Sequence, residues 1–335
     1  MFKLKVFISH SNHHPDALLI AEAIARKLKR KEIDYWRAIE HLVAGQNWMD
    51  EIDKHIHGCN VVILVWSHDA QVGFVKREWQ VADSLKKEIF TCKLPDTDVP
   101  AFLKEKQYIP FDDPNRGFKK LLKDLKGFED KLRIKEYSKN ASALPEFDFI
   151  PIPAGKFRFS IFKKTVRVEA FEIADFPVTL DQFPSLGNNE VSRDGDSPVT
   201  NVSWDQAVQY CKWLSQATGS LIKLPSEMQW EYAAKAGQEL EYATKDGKIT
   251  KCNYNNHEQK TIHKGDRPNP FEVYDMSGNV WEWCEDLDPI LKDYRIVRGG
   301  SWIDPPENCR TTSRHSFHRS HTNLYTSFRV IRVPK

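Results

Sequence analysis

The chain has 335 residues, which exceeds one ordinary domain and fits two. Its 49 basic and 47 acidic side chains leave a net charge of only +2, so the basic excess typical of nucleic-acid-binding proteins is missing. The longest strongly apolar run, residues 61–66, is too short to cross a membrane, and the first residues lack a signal-peptide pattern. The six cysteines are scattered without CxxC pairs, which favours reduced thiols. We therefore expect a cytoplasmic, two-domain protein that binds neither nucleic acid nor membrane.

Strand-like and helix-like stretches alternate over residues 1–133. Short strands are predicted at 3–9 and 33–36, and the continuously apolar residues 60–66 (NVVILVW) predict a strand buried on both faces. Apolar residues at helical spacing predict four helices, at 16–31, 46–58, 74–87 and 118–132. This alternation predicts an α/β domain with a parallel sheet and right-handed crossover connections.

Residues 134–146 are polar, lose periodicity and predict a linker. Ten of the 15 glycines and six of the ten tryptophans lie beyond it, and a second domain is predicted over 147–335. Two helices are indicated there by capping boxes and by glycines at their expected ends. The residues are Ser203 with Gln206 and Gly219, and Ser226 with Gln229 and Gly237.

Three stretches of the first half carry a family resemblance. They are VFISHSN (6–12), IEHLVAGQNW (39–48) and FVKREWQVA (74–82). In this order and spacing they resemble a Toll/interleukin-1 receptor (TIR) domain, which implies a flavodoxin-like fold over residues 1–133. Many TIR domains cleave NAD+ into nicotinamide and ADP-ribose, and the resemblance places their essential glutamate at Glu78 and a nicotinamide-stacking aromatic at Trp36.

Physical chemistry favours a site at the same edge of the sheet. Ligands of open parallel sheets bind beyond the carboxyl ends of the strands, where His10 and Ser11 follow the first strand and Trp36 and Arg37 the second. We expect these four residues to contact NAD+. A carboxylate such as that of Glu78 stabilises the oxocarbenium-like ribose as nicotinamide leaves.

A structural role explains the same residues. Glu78 lies near the start of a predicted helix, where the helix dipole favours an acidic residue, and Trp36 fits a core position. TIR domains also act as non-catalytic adaptors that self-associate or recruit other TIR domains. The sequence leaves both alternatives open.

A second resemblance covers residues 147–335. The matching segments are FIPIPAGKF (149–157), PVTNVSWDQAVQYCKWL (198–214), LPSEMQWEYAAKAG (224–237), VYDMSGNVWEWCED (273–286), VRGGSW (297–302) and FRVIR (328–332). Together they are similar to the formylglycine-generating-enzyme domain, which implies an α+β C-type-lectin-like fold with little regular secondary structure.

That resemblance also makes chemical predictions. Family members hold calcium around the GNVWEW loop, and the matching side chains here are Asp275 and Glu282, whose oxygens suit a hard cation. The family's oxidase chemistry uses two cysteines, but this chain has Asp304 at the first position and only Cys309 at the second. We expect no formylglycine-generating activity, and a residual metal-dependent oxidase is the least favoured alternative.

Residues 309–330 (CRTTSRHSFHRSHTNLYTSFRV) have a biased composition. They contain no Lys, Glu, Gln, Met or Trp, the types that pyrimidine-ending codons do not encode. The bias and the anchors around it resemble the variable proteins of diversity-generating retroelements, which implies a variable region at 303–327 and an unknown protein or other macromolecule as ligand. Histidine, serine, asparagine and aromatic residues suit such a binding surface. The candidate variable positions are Ser313, His315, Ser316, Phe317, His318, Ser320, His321, Asn323, Tyr325 and Thr326.

Overall fold

A computed structural model of the chain describes residues 3–41, 48–71, 73–95, 97–98, 108–141, 143–183, 195–249 and 268–334. Residues 42–47, which belong to the IEHLVAGQNW stretch and include the start of the helix predicted at 46–58, lie outside these ranges. The chain divides into two compact units, Met1–Leu132 and Arg133–Lys335. Within the described ranges, no helix has the length and apolar character needed to cross a membrane.

Strands and helices alternate in the first unit, as predicted. The strands are β1 (Lys5–His10), β2 (Asp34–Trp36), β3 (Val61–Trp66), β4 (Glu88–Lys93) and β5 (Tyr108–Pro110). The helices are α1 (Pro15–Arg30), α2 (Ala38–His41), α3 (Trp48–Gly58), α4 (Gly73–Ser84) and α5 (Pro114–Asn140).

The five strands form one sheet in the order β2-β1-β3-β4-β5, and every pair is parallel. The parallel α/β fold predicted for this half is therefore confirmed. All six residues of β3 are buried because helices cover both faces of the sheet. One face packs against α1 and α5, and the other packs against α3 and α4. β1 is thus an interior strand between β2 and β3, and its carboxyl-terminal half lies beside α4.

Helix α5 is longer than the helix predicted at 118–132, because it continues to Asn140. It therefore includes the first part of the predicted linker. Ile134, Tyr137 and Ala141 follow helical spacing and pack into the core of the second unit, where the ring of Tyr137 stacks on Trp213 at 5.8 Å. Burial of these widely spaced apolar side chains extends the helix in a segment whose average composition is polar.

Beyond the end of α5, the described residues of the second unit form short strands and two α-helices. The helices are α6 (Trp204–Thr218) and α7 (Glu227–Lys235). The strands are β6 (Phe149–Ile152), β7 (Gly155–Phe159), β8 (Lys164–Val168), β9 (Phe171–Ala174), β10 (Leu221–Lys223), β11 (Trp281–Leu287), β12 (Tyr294–Arg298), β13 (Arg314–His318), β14 (Thr326–Ser327) and β15 (Ile331–Val333).

Both predicted capping boxes are confirmed, at Ser203 and at Ser226. Helix α6 ends as predicted at Gly219, which adopts the left-handed conformation with φ of 68°. Helix α7 ends one residue earlier than predicted, because Ala236 takes the left-handed cap position before Gly237.

The strands of the second unit form two four-stranded sheets and the β7–β8 hairpin. One sheet has the order β10-β15-β9-β6, and the other has the order β13-β12-β11-β14. Tryptophan and tyrosine rings fill the space between the helices and these short strands. In the second sheet β13 is an edge strand, so one side of the predicted variable region borders the solvent.

Candidate functional site

Glu78 lies on α4, facing the carboxyl-terminal half of β1. Its side chain is buried, with only 7% of the residue exposed, and its Oε2 accepts a hydrogen bond of 2.5 Å from the hydroxyl of Ser9. Side chains alternate along a strand, so Phe7 and Ser9 point to the α4 side of the sheet while Ile8 points to the α1 side. Side-chain alternation along β1 therefore places Ser9 next to Glu78, the glutamate that the TIR resemblance indicates as essential.

Burial raises the pKa of Glu78 to about 7, although the hydrogen bond from Ser9 and the positive charge of Arg77 both lower it. A carboxyl group that titrates near neutrality changes its charge in the physiological range. Strongly perturbed acids of this kind are concentrated at functional sites.

Two of the predicted NAD+-contacting residues, His10 at the end of β1 and Arg37 directly after β2, lie within electrostatic range of each other. Burial lowers the pKa of His10, the backbone of Ser11 opposes this shift, and the charge of Arg37 adds to it. The Nε and Nη1 atoms of Arg37 are buried without a hydrogen-bond partner among the described residues. Its Nη2 lies 3.4 Å from Glu40. The Nε and Nη1 groups of Arg37 could therefore donate hydrogen bonds to a bound anion.

Ser11 is buried in the loop after β1, and its hydroxyl accepts a hydrogen bond of 3.3 Å from the backbone of His13. Ser9, by contrast, was not predicted as a site residue. The sequence signal that could identify Ser9 is a hydroxyl that follows three apolar residues, Val6 to Ile8, within the strand.

Trp36 occupies a core position. Its ring stacks on Phe7, with centroids 5.2 Å apart, and on His55, with centroids 4.6 Å apart. Only 8% of the residue is exposed. Because these two rings pack against it, the arrangement favours the structural alternative for Trp36 over stacking on nicotinamide.

The predicted variable region, residues 303–327, contains a short 3-10 helix at Pro306–Cys309, strand β13, the turns after it and β14. Alternation along β13 places His315 and Phe317 on one face, next to Trp281 and Trp283, with ring centroids 6.1 Å apart in both pairs. Phe317 contacts His315 edge-on at 4.8 Å and stacks on His321 at 5.0 Å. We call His315, Phe317 and His321 the aromatic cluster.

The ten candidate variable positions differ in exposure. The exposed ones are His315, His318, Ser320 and His321, and the half-buried ones are Ser313, Ser316, Phe317, Asn323 and Tyr325. Thr326 is buried in β14, where it pairs with Trp281 of β11. Thr326 therefore does not belong to this surface, because the pairing turns it into the interior.

The free energy of unfolding of single variants distinguishes exposed positions of the variable region from positions whose side chains pack against the core. We expect His318→Ala to change the free energy of unfolding by less than about 0.5 kcal/mol, because the side chain is exposed. Phe317→Ala is expected to cost about 1–3 kcal/mol, because its ring packs against the core. Chemical unfolding of both variants tests this, and equal large losses would contradict a solvent-facing role for His318.

Glu282 does not fit the predicted calcium site. Its two carboxylate oxygens accept hydrogen bonds of 2.6 and 2.7 Å from Arg329, and Trp230 Nε1 donates to Oε2 at 2.7 Å. Glu282 and Arg329 are both fully buried, and Glu282 neutralises the guanidinium of Arg329 in place of a calcium ion. Asp275 lies in the preceding turn with a φ of 54°. No cluster of three metal-ligating side chains occurs in the described ranges.

The position of the family's first oxidase cysteine is filled by a structural carboxylate. Asp304 accepts hydrogen bonds from Trp281 Nε1 at 2.9 Å, from the hydroxyl and backbone of Ser301, and from Asn308. Cys309 is buried, and burial raises the pKa of its thiol to about 12. An uncharged thiol beside a carboxylate committed to four donors does not fit a paired-thiolate copper site.

The parallel five-stranded fold and the C-type-lectin-like fold define a two-domain protein with a TIR domain at the N-terminal end. Residues 6–122 match the family model of the TIR domain. Residues 135–334 match that of the sulfatase-modifying factor enzyme 1-like domain. The second match covers more than half of the chain, which therefore belongs to the sulfatase-modifying factor enzyme 1-like family.

Known proteins resemble parts of the chain. The serine/threonine-protein kinase pkn1 of Chlamydia pneumoniae is 30% identical over 151 residues, which cover 39% of this chain and 23% of that protein. The inactive C-alpha-formylglycine-generating enzyme 2 of Mus musculus is 33% identical over 124 residues, which cover 32% of this chain and 38% of that protein. The chain thus spans less than two fifths of either relative. Treponema denticola variable protein 1 has a TM-score of 0.48 at 22% identity, covering 58% of this chain and 97% of that one.

Proposed function

We propose that this chain is a cytoplasmic receptor that cleaves NAD+. In this proposal the variable surface of the lectin-like domain binds a protein ligand, and the TIR domain responds by hydrolysing NAD+ to nicotinamide and ADP-ribose. The observation that carries the catalytic part is the buried carboxyl of Glu78 on α4, which is hydrogen-bonded to Ser9 of β1 and has a pKa raised to about 7.

The proposed step needs the ionised form of Glu78. The bond between nicotinamide and C1′ of the ribose breaks, and nicotinamide leaves with the electron pair. The negative carboxylate stabilises the positive charge that develops on the ribose, and water then adds to C1′ and releases a proton to solvent. The unpartnered donors of Arg37 support binding of the dinucleotide phosphates near His10.

The binding part of the proposal is supported by the chemistry of the exposed region. The aromatic cluster combines a ring anchored on the core with two imidazoles that donate and accept hydrogen bonds. His318 and Ser320 extend this surface and contact each other at 2.7 Å. Aromatic anchors next to adaptable polar groups are typical of protein-binding paratopes.

Incubation of the purified full chain with NAD+ tests the catalytic part. We expect nicotinamide release by the wild type, which crowding or chemical multimerisation increases, and none by Glu78→Gln. Glu88→Gln, which changes an exposed glutamate of the same domain, is the matched control and should keep full activity. A Glu78→Gln variant that cleaves NAD+ at the wild-type rate would reject the assignment.

One observation favours the second candidate function, a non-catalytic adaptor that works by TIR–TIR association. The rings of Phe7 and His55 stack on Trp36, so the aromatic available to nicotinamide in other TIR domains is engaged in the core here. Absence of NAD+ cleavage in the crowded or multimerised wild type, together with concentration-dependent self-association, would support the adaptor.

A further inference from the structure

Ser9 lies on a buried and largely apolar face of the sheet. In the strand register Ser9 of β1 aligns with Leu64 of β3, which aligns with Thr91 of β4. These three side chains point to the α4 side, and Ser9 is only 1% exposed. Burying a hydroxyl away from water is costly unless it forms a hydrogen bond. The partner of Ser9 is Glu78, 69 residues further along the chain.

We propose that Ser9 positions Glu78. The hydroxyl of Ser9 orients the Glu78 carboxylate and stabilises its ionised form. The hydroxyl donates to Oε2 at 2.5 Å, and both residues are buried. A short hydrogen bond to an ionised carboxylate is stronger than one between neutral groups. This inference rests on the proposed NAD+ cleavage, because it concerns the same carboxylate.

Few charges act on this carboxylate within the described ranges. Arg77, on the same helix, lowers the pKa of Glu78, but its guanidinium also pairs with Asp53 of α3 at 2.6 Å. The aligned strand residues on this face are not ionisable. The hydrogen bond from Ser9 is the largest influence opposing the effect of burial on the pKa of Glu78. Ser9 therefore increases the fraction of this buried acid that is ionised near neutrality.

Loss of the hydroxyl has two expected consequences. The pKa of Glu78 rises further, so a smaller fraction of the carboxyl is ionised at neutral pH. NAD+ cleavage then falls more at pH 6.5 than at pH 8.5. If the pKa rises from about 7 by about half a unit, the ionised fraction falls about 2.6-fold at pH 6.5 and about 1.1-fold at pH 8.5.

Carbon-13 NMR of the glutamate side-chain carboxyls in the full chain tests this directly. The Glu78 resonance is assigned by its disappearance in Glu78→Gln, and its titration midpoint is followed between pH 5 and 9. We expect Ser9→Ala to raise the midpoint by about half a unit or more, and Ser9→Thr, which keeps the hydroxyl, to restore it. Thr91→Val removes a buried hydroxyl from the same row and should leave the midpoint unchanged.

The outcomes separate this proposal from the proposed function. An unchanged midpoint in Ser9→Ala overturns the role of Ser9, whether or not the wild type cleaves NAD+. A midpoint raised by Ser9→Ala, together with a wild type that does not cleave NAD+, supports the electrostatic role of Ser9 and rejects the proposed NAD+ cleavage. Ser9→Cys, which nearly keeps the volume but offers only a weak donor, repeats the readout if Ser9→Ala does not fold.

Discussion

Glu78→Gln is expected to make the protein more stable at pH 8 while it removes NAD+ cleavage. The pKa of the folded-state carboxyl is raised from 4.5 to about 7, so ionisation destabilises the folded state. The destabilisation by this ionisation is absent below about pH 4.5. It grows as the pH rises and reaches its full size above about pH 7. The shift corresponds to roughly 3 kcal/mol as an upper estimate. Glutamine keeps the carbonyl oxygen that accepts the hydrogen bond from Ser9 and carries no charge.

Chemical unfolding of wild type and Glu78→Gln at pH 5 and pH 8 measures this effect. The difference in the free energy of unfolding between Glu78→Gln and the wild type should favour the variant by about 2–3 kcal/mol more at pH 8 than at pH 5. Comparing the two pH values cancels any constant cost of burying the amide. Glu88→Gln serves again as the exposed control, with the same stability difference at both pH values. An equal effect of Glu78→Gln at both pH values would show that Glu78 is not a buried acid with a raised pKa.

Glu282→Ala is expected to be among the most destabilising single substitutions in the lectin-like domain. It leaves the guanidinium of Arg329 buried without its carboxylate, which typically costs about 3–5 kcal/mol. The carbonyl oxygens of Ala174 and Tyr274 still accept hydrogen bonds from Arg329, at 3.1 and 2.9 Å, but they carry no full charge. The loss therefore reflects an uncompensated buried cation.

Two controls isolate the contribution of the buried ion pair. Glu241→Ala removes the carboxylate of an exposed pair with Arg310 and should cost less than about 1 kcal/mol. Calcium chelation should leave the melting temperature of the wild type unchanged, because the oxygens of Glu282 are engaged by Arg329. A melting temperature that rises with calcium in the wild type but not in Glu282→Ala would restore the calcium hypothesis.

Features encoded by local patterns could be predicted from the sequence. The strand–helix alternation gave the parallel sheet, and the capping boxes gave the starts of α6 and α7. The position of Glu78 on α4 followed from a motif of neighbouring residues. These features depend on spacings of a few residues, which one sequence displays directly.

Features that depend on contacts between distant residues were not predicted. Glu282 pairs with an arginine 47 residues away, and Ser9 reaches Glu78 only through the packing of α4 on the sheet. Thr326 shares the biased composition of its neighbours, but pairing with β11 buries it. Composition describes a segment as a whole, whereas burial is decided for each residue by the strand beside it.

The pH dependence of NAD+ cleavage by the full chain tests the central claim most directly. Nicotinamide release is measured at subsaturating NAD+ between pH 5.5 and 9, under the crowding or multimerisation that gives the highest rate. The proposed role of ionised Glu78 predicts that the rate rises with pH through a single ionisation near 7 and then reaches a plateau. A rate that is independent of pH across this range, or that falls as the pH rises through 7, would contradict it.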